Sequence, residues 1–371
     1  MSRAGRADLN PIKKGVSPHF REGRVMSLPD FLKVDLKRIK PFHDTLRYGY
    51  AVGRVRVMEL QMLSSHRLER LIEADYEGAL NILDEVAMGD YLADTVTVKD
   101  VDAGLTAFLR DIYSTLAEAM PADSFLMDFF LCRYDFHNLK ALLKAKMKEE
   151  EPKGLLEGLG LVDIEVLRKG MDDTVALPSP YREAVEKCVQ GEVTPQELDT
   201  IVDRHYLAYR LLLARRENSP FIIDFARASI DLANLKLVLR GRNLGKDREF
   251  LGAGLVKGGF IGTGSLLDLY GDPPEMMVKK LEANVYYSKL LEVVENAEET
   301  FRLTDFDRKS DDYLMNMVRG TKRISLGVEP IFAYIRAREN EALMVRMILI
   351  AKLHNIAPAS IEKMLRKVYI E

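Results

Sequence analysis

The stretch Phe125-Leu-Met-Asp-Phe-Phe-Leu-Cys-Arg-Tyr-Asp-Phe-His-Asn-Leu-Lys140 decides the fold, because the chain repeats it. The stretch Phe221-Ile-Ile-Asp-Phe-Ala-Arg-Ala-Ser-Ile-Asp-Leu-Ala-Asn-Leu-Lys236 lies 96 residues further on and is identical at seven of the sixteen positions without a gap. An aspartate and an asparagine three residues apart recur in both copies, so on a helix both side chains lie on one face. The repeated polar residues are Asp135, Asn138 and Lys140 in the first copy and Asp231, Asn234 and Lys236 in the second.

A third, fainter copy follows 110 residues after the second. Glu341 takes the place of Asp231 and Arg346 that of Lys236, whereas Met344 stands where the asparagine was. The charges therefore keep their sign while the amide is lost. Because the spacing is much longer than that of TPR or HEAT units, the copies predict three small helical lobes instead of a solenoid.

Most of the chain beyond residue 47 has the composition and periodicity of helix. Ser219 before Pro220 predicts a capped helix start, and Pro330 and Pro358 suit the first turn of a helix. Only Thr95–Val98 alternates like a strand, and it is too short to found a sheet. The sequence therefore predicts an all-α fold with long helices at residues 47–62, 125–148, 221–242 and 330–352.

Glycine- and proline-rich stretches separate the copies at residues 152–160 and 245–264. They divide the chain into a basic N-terminal extension and three helical lobes of about minimal domain size. The predicted boundaries are 1–47 for the extension and 48–150, 151–245 and 246–371 for lobes 1, 2 and 3.

The composition is that of an ordinary globular protein, with 47% apolar and 30% charged residues among 371. The sequence contains no run of eighteen apolar residues, so it predicts no membrane-spanning helix. It also contains no apolar segment behind the basic residues near the N-terminus, so it predicts no secretory signal. Two cysteines are too few for a disulfide framework or a four-thiolate zinc site, so a reducing compartment fits best.

Charge is unevenly distributed along the chain. Residues 1–47 hold eleven basic and five acidic residues, a charge of +6, whereas the remainder holds 43 basic and 52 acidic residues, a charge of −9. An acidic body argues against nucleic acid as the main partner. Within the extension, Phe31–Ile39 is short, basic and weakly amphipathic, which favours a packed or frayed arm over a helix lying on a membrane surface.

No motif predicts a catalytic residue, a cofactor or a metal site. The six histidines are scattered, with no pair at the spacing of a helical metal site. The glycines of Gly252–Ser265 lack the Gly-Lys-Ser/Thr motif and the strand of a phosphate loop, so the stretch is interpreted as a connector. The repeated polar residues either tie each helix to a neighbouring lobe or serve acid–base chemistry; the first interpretation is favoured, with partner contact as a further role. These candidates are Asp135, Asn138, Lys140, Asp231, Asn234, Lys236, Glu341 and Arg346.

The predicted helix at residues 47–62 contains the stretch Tyr48-Gly-Tyr-Ala-Val-Gly-Arg-Val-Arg-Val57. This stretch resembles the opening helix of the C subunit of V/A-type rotary ATPases, whose family includes the d subunit of the eukaryotic V-ATPase. Further similar stretches are Arg133–Lys144, the Gly258-Gly-Phe-Ile261 turn, Glu329–Glu341 and Leu365–Tyr369. The resemblance extends from about Tyr48 to Tyr369, and the order of the motifs is more specific than any one of them.

The resemblance implies three lobes in a pseudo-threefold funnel without an active site. It implies a connector between the central shaft, made of the D and F subunits, and the membrane ring of proteolipid (c/K) subunits. One copy would pass torque between them at the cytoplasmic face of the membrane, bound peripherally through the ring. Residues 1–47 are not required by the family pattern, and Met26 is a candidate for the true start.

Two other hypotheses stay open at this point. One is a helical-lobe enzyme that uses Asp135, Asp231 and Glu341 around an acid-lined central cavity, and the other is a general helical scaffold. The sequence does not distinguish proton from sodium coupling, or synthesis of ATP from its consumption.

Overall fold

The computed structural model describes residues 45–272 apart from 153, 155 and 192, together with 276, 279, 280 and 303–370. The prediction of an all-α fold is confirmed, since these residues hold helices and one isolated bridge between Ser64 and Ile370. All but the last three residues of the predicted 1–47 extension lie outside the described residues. The described α-helices are α1 (Gly49–Met58), α2 (Ser65–Glu73), α3 (Tyr76–Leu83), α4 (Gly89–Leu92), α5 (Val98–Ala119), α6 (Leu126–Lys148), α7 (Ile164–Gly170), α8 (Tyr181–Val189), α9 (Pro195–Glu217), α10 (Pro220–Asn243), α11 (Arg248–Gly254), α12 (Thr263–Gly271), α13 (Leu303–Arg319), α14 (Glu329–Leu353) and α15 (Pro358–Met364).

Short 3₁₀ turns extend several of these helices. They lie at Thr45–Tyr48 and Glu59–Gln61 on either side of α1, at Thr174–Ala176, and at Gly320–Arg323. No helix among the described residues combines the length and the apolar character needed to cross a membrane.

The helix starts follow from local sequence. Ser219 accepts a hydrogen bond from the backbone N–H of Ile222 and so caps α10, with Pro220 in the first turn. Thr97 and Thr194 form capping boxes at the starts of α5 and α9. The strand-like run Thr95–Val98 therefore leads into a helix, because Thr97 binds the backbone of the turn that follows it.

The three repeat helices, α6, α10 and α14, each pack lengthwise on another long helix. Helix α6 packs on α9, α10 on both α9 and α13, and α14 on α5 and α1. Their N-terminal halves meet at an aromatic cluster that we call the hub. Phe332 of α14 is its centre, with ring centroids 5.5 Å and 5.0 Å from Phe129 and Phe130 of α6 and 4.9 Å and 5.5 Å from Phe225 and Phe221 of α10.

Candidate functional site

Asp135 and Asp231, the repeated acids, both accept hydrogen bonds from the backbone of a segment that follows their helix. Asp135 accepts from Leu161 N and Val162 N, each at 3.1 Å. Asp231 accepts from Phe260 N at 2.8 Å and from Ile261 N at 3.0 Å. Both carboxylates are fully buried. Each therefore satisfies two N–H groups of a segment that has no secondary structure of its own to do so.

A glycine lets the backbone approach each of these carboxylates. A Cβ atom on Gly160 would lie 2.1 Å from Oδ1 of Asp135, and one on Gly259 would lie 2.0 Å from Oδ1 of Asp231. Real Cβ atoms do not reach such distances without displacing a neighbour. The glycine at these two positions is therefore required by the short aspartate side chain and its hydrogen bonds.

Glu341 holds the corresponding place in the third copy and binds the start of the described chain. Its Oε1 accepts from Leu63 N at 2.9 Å, and its Oε2 lies 2.8 Å from Nη1 of Arg338. Arg338 donates in turn to the carbonyls of Gln61 at 3.1 Å and Met58 at 2.9 Å. A glutamate is one methylene longer than an aspartate, so its carboxylate reaches a backbone segment that lies further from the helix. This copy therefore needs no glycine beside the carboxylate.

Asn138 and Asn234, the repeated amides, bind the same kind of target as the acids. Asn138 exchanges two hydrogen bonds with the backbone of Glu157, at 2.9 Å and 2.8 Å. Asn234 exchanges two with the backbone of Val256, both at 2.8 Å. An amide matches a peptide group in offering both a donor and an acceptor, so it fixes the segment without leaving a buried peptide group unpaired.

The repeated bases form ion pairs with an aspartate on the long helix packed beside them. Lys140 lies 2.5 Å from Asp203 of α9, and Lys236 lies 2.7 Å from Asp307 of α13. Arg346 is bidentate to Asp102 of α5, at 2.6 Å and 3.1 Å. These pairs are partly exposed, so each contributes little stability while fixing the register of two helices.

A second repeated lysine binds carbonyls at the end of a short helix. Lys146 Nζ donates to Met171 O at 2.5 Å, beyond the end of α7. Lys352 Nζ donates to Ile72 O at 2.9 Å and also to Ala74 O, at the end of α2. Such carbonyls lack partners within their helix, and a cation also suits the negative end of the helix dipole.

Burial governs the titration of the repeated acids. Burial raises the pKa of Asp135 to about 7, against the hydrogen bonds from Tyr181 Oη, Val162 N and Leu161 N, which lower it. Burial also raises the pKa of Glu341 to about 7, against the lowering effect of Arg338. A raised pKa alone suits a general acid, but these oxygens are occupied by protein donors and closed to a substrate.

A cavity of about 310 Å³ lies between α6, α9, α10, α13 and α14. Asp135, Asp231 and Glu341 do not line it, in contrast to the acid-lined cavity of the enzyme hypothesis. Its charged lining is mixed: Arg133 lies 3.2 Å from Glu339, and Arg336 lies 3.2 Å from Asp311. Lys236 and Asp307 form a third pair at its wall.

Arg210 is the exception among the cations that line the cavity. Its guanidinium lies 4.1 Å from the ring centroid of Phe129 and 5.4 Å from that of Tyr206. It forms no ion pair within the part of the chain that the structure describes, and its buried Nε has no hydrogen-bond partner there. Among the described residues, Arg210 is therefore a cavity cation that is held by aromatic stacking and that no carboxylate neutralises.

The described residues contain no group of three or more histidine, cysteine or acidic side chains placed to hold a metal ion. Cys132 and Cys188 are buried free thiols. The glycine-rich connector directs its Phe260 and Ile261 N–H groups at Asp231, so these donors are not available to a phosphate.

Sequence reasoning missed the residues whose partners come from other copies. Arg338 is 1% exposed and holds Glu341 in place, yet no counterpart occupies its position in the first two copies. Tyr181 donates to Asp135 at 2.8 Å from a helix 46 residues away. Nothing in the local pattern distinguishes such a residue from an ordinary core or surface side chain.

The repeated acids and amides thus bind the chain's own backbone, and the repeated bases pair with its own aspartates. Residues 51–364 match the family described as ATP synthase (C/AC39) subunit, and the chain belongs to that family. The C subunit of the V-type sodium ATPase of Enterococcus hirae is 26% identical over 322 residues, covering 85% of this chain and 97% of that protein. The C subunit of the A-type ATP synthase of Methanocaldococcus jannaschii is 25% identical over 350 residues, covering 87% of each chain. That of Desulfurococcus is 25% identical over 335 residues, covering 85% of this chain and 90% of the relative.

Proposed function

We propose that this protein is the non-catalytic connector in the central rotor of a V/A-type ATPase or ATP synthase. It would join the shaft of D and F subunits to the membrane ring of proteolipid subunits and pass torque between them. One copy would sit peripherally on the cytoplasmic face of the membrane, held there by the ring. Membership of the C/AC39 family and the names of the relatives support this role.

The observation that carries the proposal is the order in which the repeated acids link the lobes. We call each hydrogen-bonded link between one of these acids and the backbone of another segment a tie, and the three ties follow one another in a circle. Helix α6 holds the segment around Leu161, α10 holds the segment around Ile261, and α14 returns to hold Leu63. With lobes at 48–150, 151–245 and 246–371, each tie runs from one lobe to the next and the third closes the circle. Such an arrangement supports the pseudo-threefold funnel that the resemblance implies.

A torque connector needs stiffness more than it needs chemistry. In the hub, the N-terminal halves of all three repeat helices pack around Phe332. The buried acids in the middle of each helix bind the backbone of another segment. Aromatic clusters and fully satisfied buried polar groups both resist deformation, because any displacement loses close packing or exposes an unpaired group. The eight candidate residues are therefore proposed as inter-lobe ties.

We place one contact of the shaft at the cavity, because no carboxylate among the described residues pairs with Arg210 there. An acidic side chain from the shaft would neutralise it in a partly desolvated setting, where a charge pair contributes more than on an open surface. This contact would also fix the position of the shaft relative to this protein.

The test is co-sedimentation of the full chain with the detergent-solubilised proteolipid ring and, separately, with the D–F complex. Binding to both is expected, and binding to neither at micromolar concentrations rejects the connector role. Arg210→Glu should weaken capture of the shaft about tenfold or more and leave capture of the ring unchanged. The matched control is Arg248→Glu, because Arg248 sits in an exposed pair with Asp268 outside the cavity. Equal effects of the two reversals would reject the cavity as the contact.

The enzyme hypothesis makes a different prediction. If Asp135, Asp231 and Glu341 were catalytic, a conservative Asp231→Asn change would abolish an activity while leaving the fold intact. Their hydrogen bonds to backbone N–H groups favour the structural role, which predicts loss of stability instead.

A further inference from the structure

Two arginines on the hairpin formed by α9 and α10 take part in no ion pair within the described parts of the chain. Arg215 lies in the last turn of α9, and Arg227 lies near the start of α10. The Nε atom of each is buried and has no hydrogen-bond partner among the described residues. We call these two residues the arginine pair. Both are partly exposed, so the pair is open to a ligand from solution.

The register of the hairpin brings the two arginines together. A Cβ atom on Gly258 would lie 2.5 Å from Cδ2 of Leu211 and 3.8 Å from Cδ1 of Ile230, so these residues of α9 and α10 meet at the connector. Arg215 lies about one turn beyond Leu211. Arg227 lies about one turn before Ile230, and because α9 and α10 are antiparallel neighbours, both steps lead toward the turn between them. The two guanidinium groups therefore come to the same end of the hairpin.

The connector fixes the position of Arg227. The guanidinium group lies 3.9 Å from the ring centroid of Phe260, and Nη2 donates to the carbonyl of Gly259 at 3.3 Å. Phe260 is held in turn, because its N–H group binds the buried Asp231 at 2.8 Å. A guanidinium group that is positioned before a ligand arrives loses less freedom on binding. One half of the arginine pair is thus preorganised.

Repulsion between the arginines makes the empty pair unfavourable. Burial lowers the pKa of Arg215, and the positive charge of Arg227 lowers it further. Both side chains still carry a full charge, because a guanidinium group does not lose its proton in proteins. Burial raises the pKa of Asp224, which lies about one turn before Arg227, and the arginine lowers it in part, yet the two form no ion pair. An anion between the guanidinium groups would remove the repulsion, and partial burial would strengthen its attraction to them.

We propose that the arginine pair binds a phosphate group. The pair presents two positive charges, which a phosphomonoester of charge about −1.5 to −2 at pH 7 balances better than one carboxylate does. Its three acceptor oxygens also suffice for N–H groups from both arginines. The side chains would hold the phosphate, since Asp231 already occupies the N–H groups of Phe260 and Ile261. The phosphate belongs either to a soluble molecule or to the headgroup of a lipid, and the inference does not rest on the connector role.

Isothermal titration calorimetry of the full chain with inorganic phosphate, against sodium chloride of equal ionic strength, tests for a soluble ligand. Saturable binding is expected, and Arg215→Gln or Arg227→Gln should each weaken it at least about tenfold. The matched control is Arg248→Gln, because Arg248 is an exposed arginine of α11 that pairs with Asp268 at 2.8 Å. Equal weakening by all three substitutions would overturn the proposal.

Thermal unfolding distinguishes binding from a structural role of Arg215. In phosphate-free buffer, Arg215→Gln should leave the unfolding midpoint unchanged or raise it, because the change removes a repulsive charge and no ion pair of the described residues. Added phosphate should raise the midpoint of the unaltered chain by mass action and leave that of the variant where it was. Arg215→Lys keeps a charge and should retain part of the gain. A midpoint that Arg215→Gln lowers equally with and without phosphate would overturn the proposal.

Vesicles identify the source of the phosphate. Co-flotation of the full chain compares phosphatidylcholine vesicles with vesicles that also contain phosphatidic acid, whose headgroup is a phosphomonoester. Flotation that needs phosphatidic acid and that Arg215→Gln abolishes identifies a lipid headgroup, whereas calorimetric binding without flotation identifies a soluble phosphate. Failure of both overturns the proposal. If Arg215→Gln then still weakens capture of the D–F complex, the pair binds an acidic protein surface instead, and the connector role stands.

Discussion

Replacing Asp231 and Gly259 with alanine, singly and together, tests whether the two residues are coupled in their contribution to stability. Asp231→Ala removes the acceptor of the N–H groups of Phe260 and Ile261, whose hydrogen bonds to the carboxylate are 2.8 Å and 3.0 Å long. Each orphaned buried donor costs about 1–3 kcal/mol, and relief of the buried carboxylate offsets part of this. We expect the free energy of unfolding to fall by about 2–3 kcal/mol.

Gly259→Ala attacks the same contact from the other side. The added Cβ atom would stand 2.0 Å from Oδ1 of Asp231, so the carboxylate must move and its hydrogen bonds weaken. Overpacking of this kind costs about 1–3 kcal/mol. In the Asp231→Ala background the obstructing oxygen is gone, and the same change should cost less than about 0.5 kcal/mol because only the ordinary Gly-to-Ala difference is left.

Urea unfolding followed by circular dichroism, with the four chains of the double-mutant cycle compared, measures the coupling. Since a chain of this size need not unfold in one step, amide exchange at residues 256–261 reports the local effect separately. Gly264→Ala is the control, because a Cβ atom there meets nothing within 4 Å. Additive losses would refute the reasoning, and an unchanged midpoint for Asp231→Ala would show that these hydrogen bonds do not stabilise the fold.

Three further predictions concern the buried charges and the hub. Burial raises the pKa of Asp128 to about 7, so the folded chain keeps a proton that the unfolded chain releases at lower pH, and stability falls as pH rises from about 4 to about 7. Asp128→Asn should reduce the slope of unfolding free energy against pH by up to about 1.4 kcal/mol per unit, without removing the similar contribution of Asp135; an unchanged slope would contradict this. Arg338→Ala should cost about 3–5 kcal/mol in urea unfolding by stranding Glu341, and Glu341→Gln in the same chain should restore part of it. Phe332→Ala should lower stability by about 3–5 kcal/mol and accelerate exchange in all three repeat helices, whereas a loss confined to α14 would show that the hub does not join them.

The fold class and the starts of the repeat helices were accessible from sequence because their causes are local. Ser219 and Pro220 specify the start of α10 by capping and ring geometry, and the structure begins the helix there. The repeated acids and bases were also found, because identical residues at a fixed offset mark positions with the same surroundings. Which atoms they bind was not accessible, since Leu161 N or Ile261 N looks like any other backbone group in the sequence.

The residues that escaped prediction depend on contacts between distant segments. Arg338 binds carbonyls nearly the whole chain away, and Gly160 is required only because the Asp135 carboxylate occupies the space of a Cβ atom. Periodicity shows which face of a helix is turned inward but not which segment lies opposite. The hub is a similar case, because its five aromatic rings come from three copies whose mutual placement no local signal encodes.

The tie from Glu341 to Leu63 has a consequence for the order in which the molecule is made. Its two residues are 278 positions apart, whereas Asp135 and Leu161 are separated by 26. Closing the longer loop costs about 2 kcal/mol more in chain entropy, by the logarithmic dependence on loop length. During synthesis the first segment of the chain must therefore wait, with its polar groups in water, until nearly the last helix leaves the ribosome. A chain truncated before α14 would lose the contact between Glu341 and Leu63. Truncation near the C-terminus should therefore first destabilise the segment around Leu63.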